Sequence, residues 1–350
     1  MPNNRVCAVR KVNPSMPAAD FVRRPLTLSD AGQVASTASA IAAHIGSDER
    51  HQAETFQIQW QEPGFDLREL SLGVFDSAGK LAAYAILWAN SEVPVHPWLD
   101  WGVHPDQYGE QLGADLFAWV DERARAVMSR CPDKARVSVV TGAPQGDAWR
   151  EDALQRAGYA PNRVSFEMRI TMAERPQPAP LPAGIALRRY QHERDLRKLV
   201  DVVRDAFSDH YGYVEQSFEK DLAEFRHWLD KDRHFAAELA LLAYDEATDE
   251  AVGCLLGLTQ DHRHPGIGYI DVVGVRRGYR RRGLAQALLT HSFAQYWERG
   301  TTTVSLGVDG QSLTNAVALY ERVGMYRHRS YMEYEKLLRD GAELAKTTME

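Results

Sequence analysis

The stretch Val273-Gly-Val-Arg-Arg-Gly-Tyr-Arg-Arg-Arg-Gly-Leu-Ala285 decides the fold, because it joins a strand to a helix through a turn of arginine and glycine. A helix that opens near Gly283 presents unpaired backbone N–H groups and a positive dipole end, which together hold a phosphate oxygen. Gly283 also lets the backbone approach a pyrophosphate closely. The pattern predicts an anion-binding loop in an α/β fold. The alternative is a solvated basic turn that caps a core helix.

The same layout occurs twice along the chain. Residues 101–113 align without gaps with residues 273–285, and each segment follows a hairpin and precedes an amphipathic helix. The closing segments, 154–159 and 320–325, correspond as well. Two tandem domains are therefore predicted, each a mixed, mostly antiparallel sheet flanked by helices. Chance similarity between two α/β segments is the alternative.

Four prolines in residues 172–184 predict an extended linker between the two domains. Residues 1–20 are predicted to be a flexible N-terminal extension and residues 341–350 a C-terminal tail. The first domain then covers residues 21–171 and the second covers residues 185–340.

Composition excludes several classes of protein. A formal net charge of -7 argues against a nucleic-acid binder, and no apolar run approaches a membrane span. Cys7, Cys131 and Cys254 are too widely spaced for a disulfide framework or a CxxC metal pair, so a cytoplasmic location is expected. His262 and His264 lack a third ligand at suitable spacing, so no metal site is predicted.

The segment Val275–Leu289, with Arg280, Gly283 and Ala285, resembles the acyl-CoA-binding motif of the GNAT superfamily of N-acyltransferases. The strand at 304–308, Asn315 and residues 319–324 resemble the next motif of that superfamily. The duplicated layout is similar to tandem GNAT proteins of the mycothiol synthase type.

The resemblance implies transfer of an acyl group, most simply acetyl, from acyl-CoA to a primary amine of a small molecule or peptide by direct attack. Acetyl-CoA or another acyl-CoA is the implied co-substrate, and the protein is expected to be a monomer or a homodimer. The implied acyl-CoA-binding residues are Val273, Val275, Arg280, Arg281, Arg282, Gly283, Leu284, Ala285 and Asn315. Asn315 has the alternative of capping the helix that follows.

The resemblance also implies that Tyr320 protonates the departing thiolate, with packing of its ring against the sheet as the alternative. An attacking ammonium must first lose a proton, and Asp271 is the favoured base. Alternation along the strand predicts that Asp271 shares a face with Tyr269, Val273 and Val275. A structural ion pair is the alternative for Asp271. The rival bases are His210, His262 and His264.

The first domain departs from this pattern and is predicted to be a degenerate copy of the catalytic second domain. Tyr108, Gln111 and Leu154 stand where the second domain has Arg280, Gly283 and Tyr320, in that order. Glu110 would repel a pyrophosphate. The first domain is therefore expected not to turn over acyl-CoA, and an altered ligand site lined by Trp98 and Trp101 is the competing interpretation.

Two other functions remain open at this point. One is a non-catalytic acyl-CoA sensor or partner-binding module. The other is a synthetase-like relative that transfers an aminoacyl group or binds another phosphate-bearing ligand on the same loop. Fold resemblance alone does not separate them.

Overall fold

A computed structural model describes residues 21–312 and 314–347 of the chain. The predicted N-terminal extension, residues 1–20, and Cys7 lie outside the described residues. Cys131 and Cys254 are buried free thiols. In the described part of the chain, no helix has both the length and the apolar character needed to cross a bilayer.

The first half contains six strands and five α-helices in its described residues. Its elements in chain order are β1 (Val22–Arg24), α1 (Ala31–His44), α2 (Ala53–Gln59), α3 (Leu67–Leu70), β2 (Ser71–Phe75), β3 (Leu81–Trp88), β4 (Trp98–Val103), α4 (Glu110–Val127), β5 (Val137–Pro144), α5 (Ala148–Arg156) and β6 (Ala160–Thr171).

The second half repeats this order without a counterpart of α3 among its described residues. Its elements are β7 (Ile185–Arg189), α6 (His192–Phe207), α7 (Phe218–Lys231), β8 (Phe235–Asp245), β9 (Ala251–Leu258), β10 (Gly268–Val275), α8 (Leu284–Glu298), β11 (Thr303–Asp309), α9 (Ala316–Arg322) and β12 (Tyr326–Arg339). Both predicted hairpins are present, as β2–β3 and β8–β9. In the first hairpin, Gly79 takes the positive φ of +75° that its turn requires.

All twelve strands belong to one sheet, in the order β1-β2-β3-β4-β5-β12-β6-β11-β10-β9-β8-β7. Most neighbours are antiparallel, and the pairs β4–β5 and β10–β11 are parallel. Helices cover both faces, which gives the predicted mixed sheet flanked by helices.

The last strand of each half pairs with the other half. β6 lies between β12 and β11, while residues 331–339 of β12 pair with β5 of the first half. Each half of the sheet is therefore completed by a strand from the other half. The division of the chain into domains at 172–184 stays a prediction.

The two helices predicted to be amphipathic bury their apolar faces in the core. On α4 the apolar residues at helical spacing are all buried: Leu112, Leu116, Val120, Ala124 and Val127. On α8, Leu284, Leu288 and Phe293 are buried against the second half of the sheet. Burial of each of these leucine, valine and phenylalanine side chains contributes about 1.5–3 kcal/mol. These contacts fix both helices, and with them the loop before α8.

Candidate active site

The site begins where two parallel strands separate. β10 and β11 pair only through Gly268–Tyr269 and Val304–Ser305. Beyond these residues a cavity of about 170 Å³ opens. Its lining includes Phe207, His210, Tyr211, Ile270, Asp271, Val273, Leu306, Gly307, Val308, Asp309, Ser312, Ala316 and Tyr320.

A β-bulge places Asp271 at this cavity. In the register of β10 with β9, Ile270 pairs with Gly257 and Val272 with the next residue, Leu256, so Asp271 is the extra residue. The bulge reverses the alternation of side chains, since Ile270 and Val272 pack in different core clusters. Ile270 rather than Tyr269 therefore packs in the cluster of Val273 and Val275, so the predicted alternation is interrupted at the bulge. Asp271 and Val273 still line the same cavity.

A second cavity, of about 500 Å³, lies at the start of α8. Gly283 has a φ of +87° and immediately precedes the helix, so the predicted helix start is confirmed. Arg281 also takes a left-handed φ, of +61°. This turn directs the first backbone N–H groups of α8 toward the cavity, where they can hold an anion.

Most of the residues predicted to bind acyl-CoA line this second cavity. They are Val273, Val275, Arg280, Arg281, Gly283, Leu284, Ala285 and Asn315. Asn315 precedes α9 with a left-handed φ of +56°, and its side chain makes no capping hydrogen bond. Arg282 does not line the cavity, and its guanidinium lies 5.3 Å from the ring centre of Tyr279.

The arginines of the loop differ in their contacts. Arg280 pairs with Asp209, with Nη1 2.5 Å from Oδ2, and donates to the backbone oxygens of Ala206 and Val275. Its charge is already neutralised within the protein. Arg281 and Arg322 also line the cavity, and neither guanidinium has a hydrogen bond or ion pair with a described residue. Arg322 was missed at the sequence level because only the packing of α9 brings it to the loop.

Tyr320 lies where the two cavities meet, because it lines both of them. Its side chain is buried, and its hydroxyl has no hydrogen-bond partner among the described residues. Burial raises the pKa of Tyr320 to about 12. The hydroxyl is therefore protonated at neutral pH and able to donate.

Asp271 has the properties of a base that works near neutral pH. The surrounding protein raises the pKa of Asp271 to about 6 by burial, with a smaller contribution from Asp232 that His262 opposes. The carboxylate still faces the cavity, and it forms no ion pair or hydrogen bond with a described residue. Above about pH 6 the Asp271 carboxyl group has lost its proton, so it can accept a proton from a substrate.

Of the three histidines considered as rival bases, only His210 reaches the cavities, and it lines both. Burial lowers the pKa of His210, so its ring is neutral at pH 7. His262 is held by Asp232, with Nε2 2.8 Å from Oδ2. His264 is buried near Asp261.

One group of side chains has the arrangement of possible metal ligands. Glu49, Glu167 and His264 are buried, and one ligand atom of each lies within 4.8 Å of the others. Both carboxylates are already bound by arginines, Glu49 by Arg329 and Glu167 by Arg169. Each arginine occupies Oε1 of its carboxylate and offsets part of its charge, which disfavours a divalent metal ion but leaves Oε2 of Glu167 without a donor among the described residues. The expectation of no metal stays a prediction.

A third cavity, of about 350 Å³, lies between the two halves and adjoins the first, since Gly307 and Val308 line both. Its polar lining comes from both halves and consists of Glu49, His51, Tyr84, Asp100, Arg150, Ser165, Glu167, Arg263, Tyr331 and Glu333. Apolar side chains of α1 and the Trp98 ring complete the wall.

The corresponding region of the first half is filled by its own side chains. The Tyr108 ring stacks on Trp149 with 4.0 Å between centres and 1° between planes. Trp149 stands at the position that corresponds to Asn315 in the second half. Arg150 lies over the Trp101 ring at 4.5 Å and donates to the Trp101 backbone oxygen. Leu154, the counterpart of Tyr320, is fully buried.

Comparison with known proteins agrees with this geometry. The model of the acetyltransferase (GNAT) family matches residues 199–325. A mycothiol acetyltransferase from Salinispora arenicola is 32% identical over 286 residues, which cover 80% of this chain and 85% of that protein. Another, from Stackebrandtia nassauensis, is 28% identical and covers 91% of this chain and 96% of its own.

Solved structures show the same fold. A GCN5-related N-acetyltransferase from Sphaerobacter thermophilus has a TM-score of 0.76 and 30% identity, covering 95% of this chain and 100% of that one. A tandem GNAT protein from the clavulanic acid biosynthesis pathway has a TM-score of 0.66 at 13% identity, covering 91% of this chain and 98% of its own, and shows the shared fold alone. The chain therefore belongs to the GNAT family of acetyltransferases, and it transfers an acyl group from acyl-CoA to an amine.

Proposed function

We propose that the protein transfers an acetyl group from acetyl-CoA to a primary amine of a small molecule, and that the second half performs the chemistry. The observation that carries this proposal is the position of Tyr320, whose free hydroxyl lies between the cavity at α8 and the cavity that contains Asp271. The relatives named mycothiol acetyltransferase support a small-molecule acceptor.

In this proposal the N-terminus of α8 and Arg281 bind the pyrophosphate of the donor. Backbone N–H groups and a guanidinium without a partner among the described residues favour an anion at this position. Val273, Val275, Leu284, Ala285 and Asn315 line the path toward Tyr320. Arg280 shapes the loop through Asp209, and Arg282 lies outside the cavity.

The reaction needs three proton transfers. Asp271 removes a proton from the acceptor ammonium, and the free amine attacks the thioester carbonyl. As the tetrahedral intermediate collapses, the C–S bond breaks and Tyr320 donates its proton to the departing thiolate. The attacking nitrogen loses its second proton to form the amide, and that proton restores the Tyr320 hydroxyl. Backbone donors in the gap between β10 and β11 support the oxyanion, because their dipoles are fixed before the reaction.

The first half has a supporting role in this proposal. Stacked Tyr108 and Trp149 fill the region that corresponds to the donor cavity, so one acetyl-CoA binds per chain. We also propose the division of the chain at residues 172–184. The unpaired buried thiols of Cys131 and Cys254 support a reducing compartment such as the cytoplasm.

The test is release of free CoA from acetyl-CoA by the full chain, followed with a thiol reagent and a panel of primary amines. CoA release that depends on the amine, with a matching acetylated product in the mass spectrum, supports the proposal. Tight binding of acetyl-CoA without release by any amine would favour a sensor instead.

A further inference from the structure

The cavity between the two halves has the size and position to hold part of the acceptor. It measures about 350 Å³ and adjoins the catalytic cavity at Gly307 and Val308. The donor is proposed to reach the catalytic cavity from α8. The part of the acceptor beyond its reacting amine then lies on the opposite side, in the cavity between the two halves. The chemistry of its wall then decides which acceptors fit.

A buried carboxylate in this wall has one oxygen without a hydrogen-bond partner among the described residues. Glu167 is only 2% exposed and lines the cavity. Its Oε1 accepts from Arg169 at 2.6 Å, but its Oε2 has no hydrogen-bond partner among the described residues. A buried oxygen left without a donor costs free energy that a bound ligand would remove.

Two further carboxyl groups of the wall, Asp100 and Glu333, form no ion pair with a described residue. Burial raises the pKa of Asp100, although Arg150 opposes the shift. Burial likewise raises the pKa of Glu333, although Arg163 opposes the shift and Asn162 donates to Oε1 at 3.0 Å. A cation beside either group would stabilise its ionised form.

The arginines of the wall do not turn it into an anion site. Arg150 is committed to the ring and backbone of Trp101. Burial disfavours the charge of Arg263, yet Tyr331 and Glu49 raise the pKa of its guanidinium far above the ordinary value. The positive charge of Arg263 is therefore already compensated within the protein, which disfavours an anionic ligand beside it.

We propose that the acceptor carries a second cationic nitrogen, which Glu167, Asp100 and Glu333 bind in the cavity between the halves while its primary amine reacts at Asp271. The acceptor is thus a diamine or a larger polyamine. This inference rests on the proposed function, because it assigns the acceptor of the same reaction.

The test compares two acceptors that differ only at the distal end. Cadaverine ends in an ammonium, and aminopentanol of the same chain length ends in a hydroxyl. With the full chain and acetyl-CoA, kcat/KM for cadaverine should exceed that for aminopentanol by at least roughly tenfold, the effect of one charged hydrogen bond. Glucosamine serves as a hydroxyl-rich amine of similar size and should be the poorer substrate.

Substitutions in the cavity wall test whether this wall causes the preference for cadaverine. Asp100→Asn and Glu333→Gln should each lower the ratio of the two kcat/KM values severalfold, because each removes a negative charge and keeps the shape. Glu246→Gln, on an exposed hairpin, is the matched control and should keep the wild-type ratio. Glu167 is not substituted, because its loss would leave the buried Arg169 without its ion-pair partner.

Equal kcat/KM for cadaverine and aminopentanol, or a preference for glucosamine, would overturn the inference. A thermal-shift titration in the presence of CoA separates this failure from failure of the proposed function. If no amine releases CoA but cadaverine stabilises the wild type more than aminopentanol does, and Asp100→Asn removes the difference, the reaction is wrong and the cation subsite stands.

Discussion

Two residues at the gap between β10 and β11 carry the proposed chemistry, and the sequence predicted both. Tyr320 and Asp271 were predicted from motif positions, and the structure brings both to one cavity. The sequence did not predict the backbone conformation that brings Asp271 to the cavity. Simple alternation of side chains along β10 predicts that Asp271 lies on the face of Val273. The β-bulge at Asp271 depends instead on the register of β10 with β9, which no local pattern encodes.

Replacing Tyr320 with phenylalanine should lower kcat by about 100-fold, because the thiolate would leave without a proton donor. Binding of acetyl-CoA should change little, since the ring and its packing stay. Tyr326→Phe, at an exposed tyrosine, is the matched control. Stopped-flow kinetics measures kcat, and calorimetry measures acetyl-CoA affinity, in both variants. A wild-type kcat in Tyr320→Phe would contradict the role of Tyr320 as the acid.

The pH dependence of kcat/KM should report Asp271, because this quantity follows the ionisation of the free enzyme. The pKa of Asp271 is raised to about 6, so Asp271 keeps its proton and cannot act as a base below that pH, and kcat/KM should rise as pH increases through about 6. Asp271→Asn should lower kcat by about 100-fold at neutral pH and abolish this rise. Asp133→Asn, on an exposed turn, should keep the profile. A rise that survives in Asp271→Asn would point to His210 instead.

At the scale of elements, the arginine- and glycine-rich turn determines where α8 begins. The sequence placed the helix start correctly because Gly283 supplies a φ that other residues rarely adopt. The sequence analysis assigned the same binding role to Arg280, Arg281 and Arg282. In the structure, only Arg280 and Arg281 of these three line the cavity. Arg280 meets Asp209, at the end of the turn after α6, and that contact depends on helix packing rather than on local sequence.

Gly283→Gln should weaken acetyl-CoA binding by at least tenfold, because a side chain at a left-handed φ strains the turn and occupies the space beside the helix N-terminus. Gly300→Gln is a close control at the other end of α8. Gly300 has a φ of +80°, and a Cβ would meet no atom within 4 Å at either glycine. Both variants should lose about 1 kcal/mol of stability, and only Gly283→Gln should lose affinity in calorimetry. Equal affinities would contradict the role of the loop.

At the scale of the whole molecule, the two halves share one sheet. The duplication and the mixed sheet were predictable because each strand and helix has its own periodicity. The pairing of β6 with β11 and of β12 with β5 was not, because an alternating strand does not specify its neighbour. An isolated half would lack a strand, so the experiments here use the full chain.

Buried charges between the halves should make the protein sensitive to acid. Arg329 donates to Glu49 at 2.7 Å, and Tyr331 donates to the same oxygen. Although burial opposes it, His51, Arg263 and Tyr331 lower the pKa of Glu49. A lowered pKa means that Glu49 stabilises the fold above the ordinary carboxyl pKa, and that this stability is lost as pH falls toward the folded pKa.

Glu49→Gln should therefore lower the free energy of unfolding by about 3 kcal/mol at neutral pH, and by progressively less as pH falls below about 4. Glu54→Gln, at a more exposed ion pair with Arg233, should have little effect. Urea unfolding at several pH values measures both. A loss of stability that is the same at all pH values would contradict the ionic role of Glu49.

The central claim is that one half binds and uses the acyl donor while the other supports it. Calorimetric titration of the full chain with acetyl-CoA tests this claim most directly. We predict one acetyl-CoA bound per chain in the wild type and strongly weakened binding in Gly283→Gln. Two acetyl-CoA molecules per chain, or one that remains tightly bound in Gly283→Gln, would contradict it.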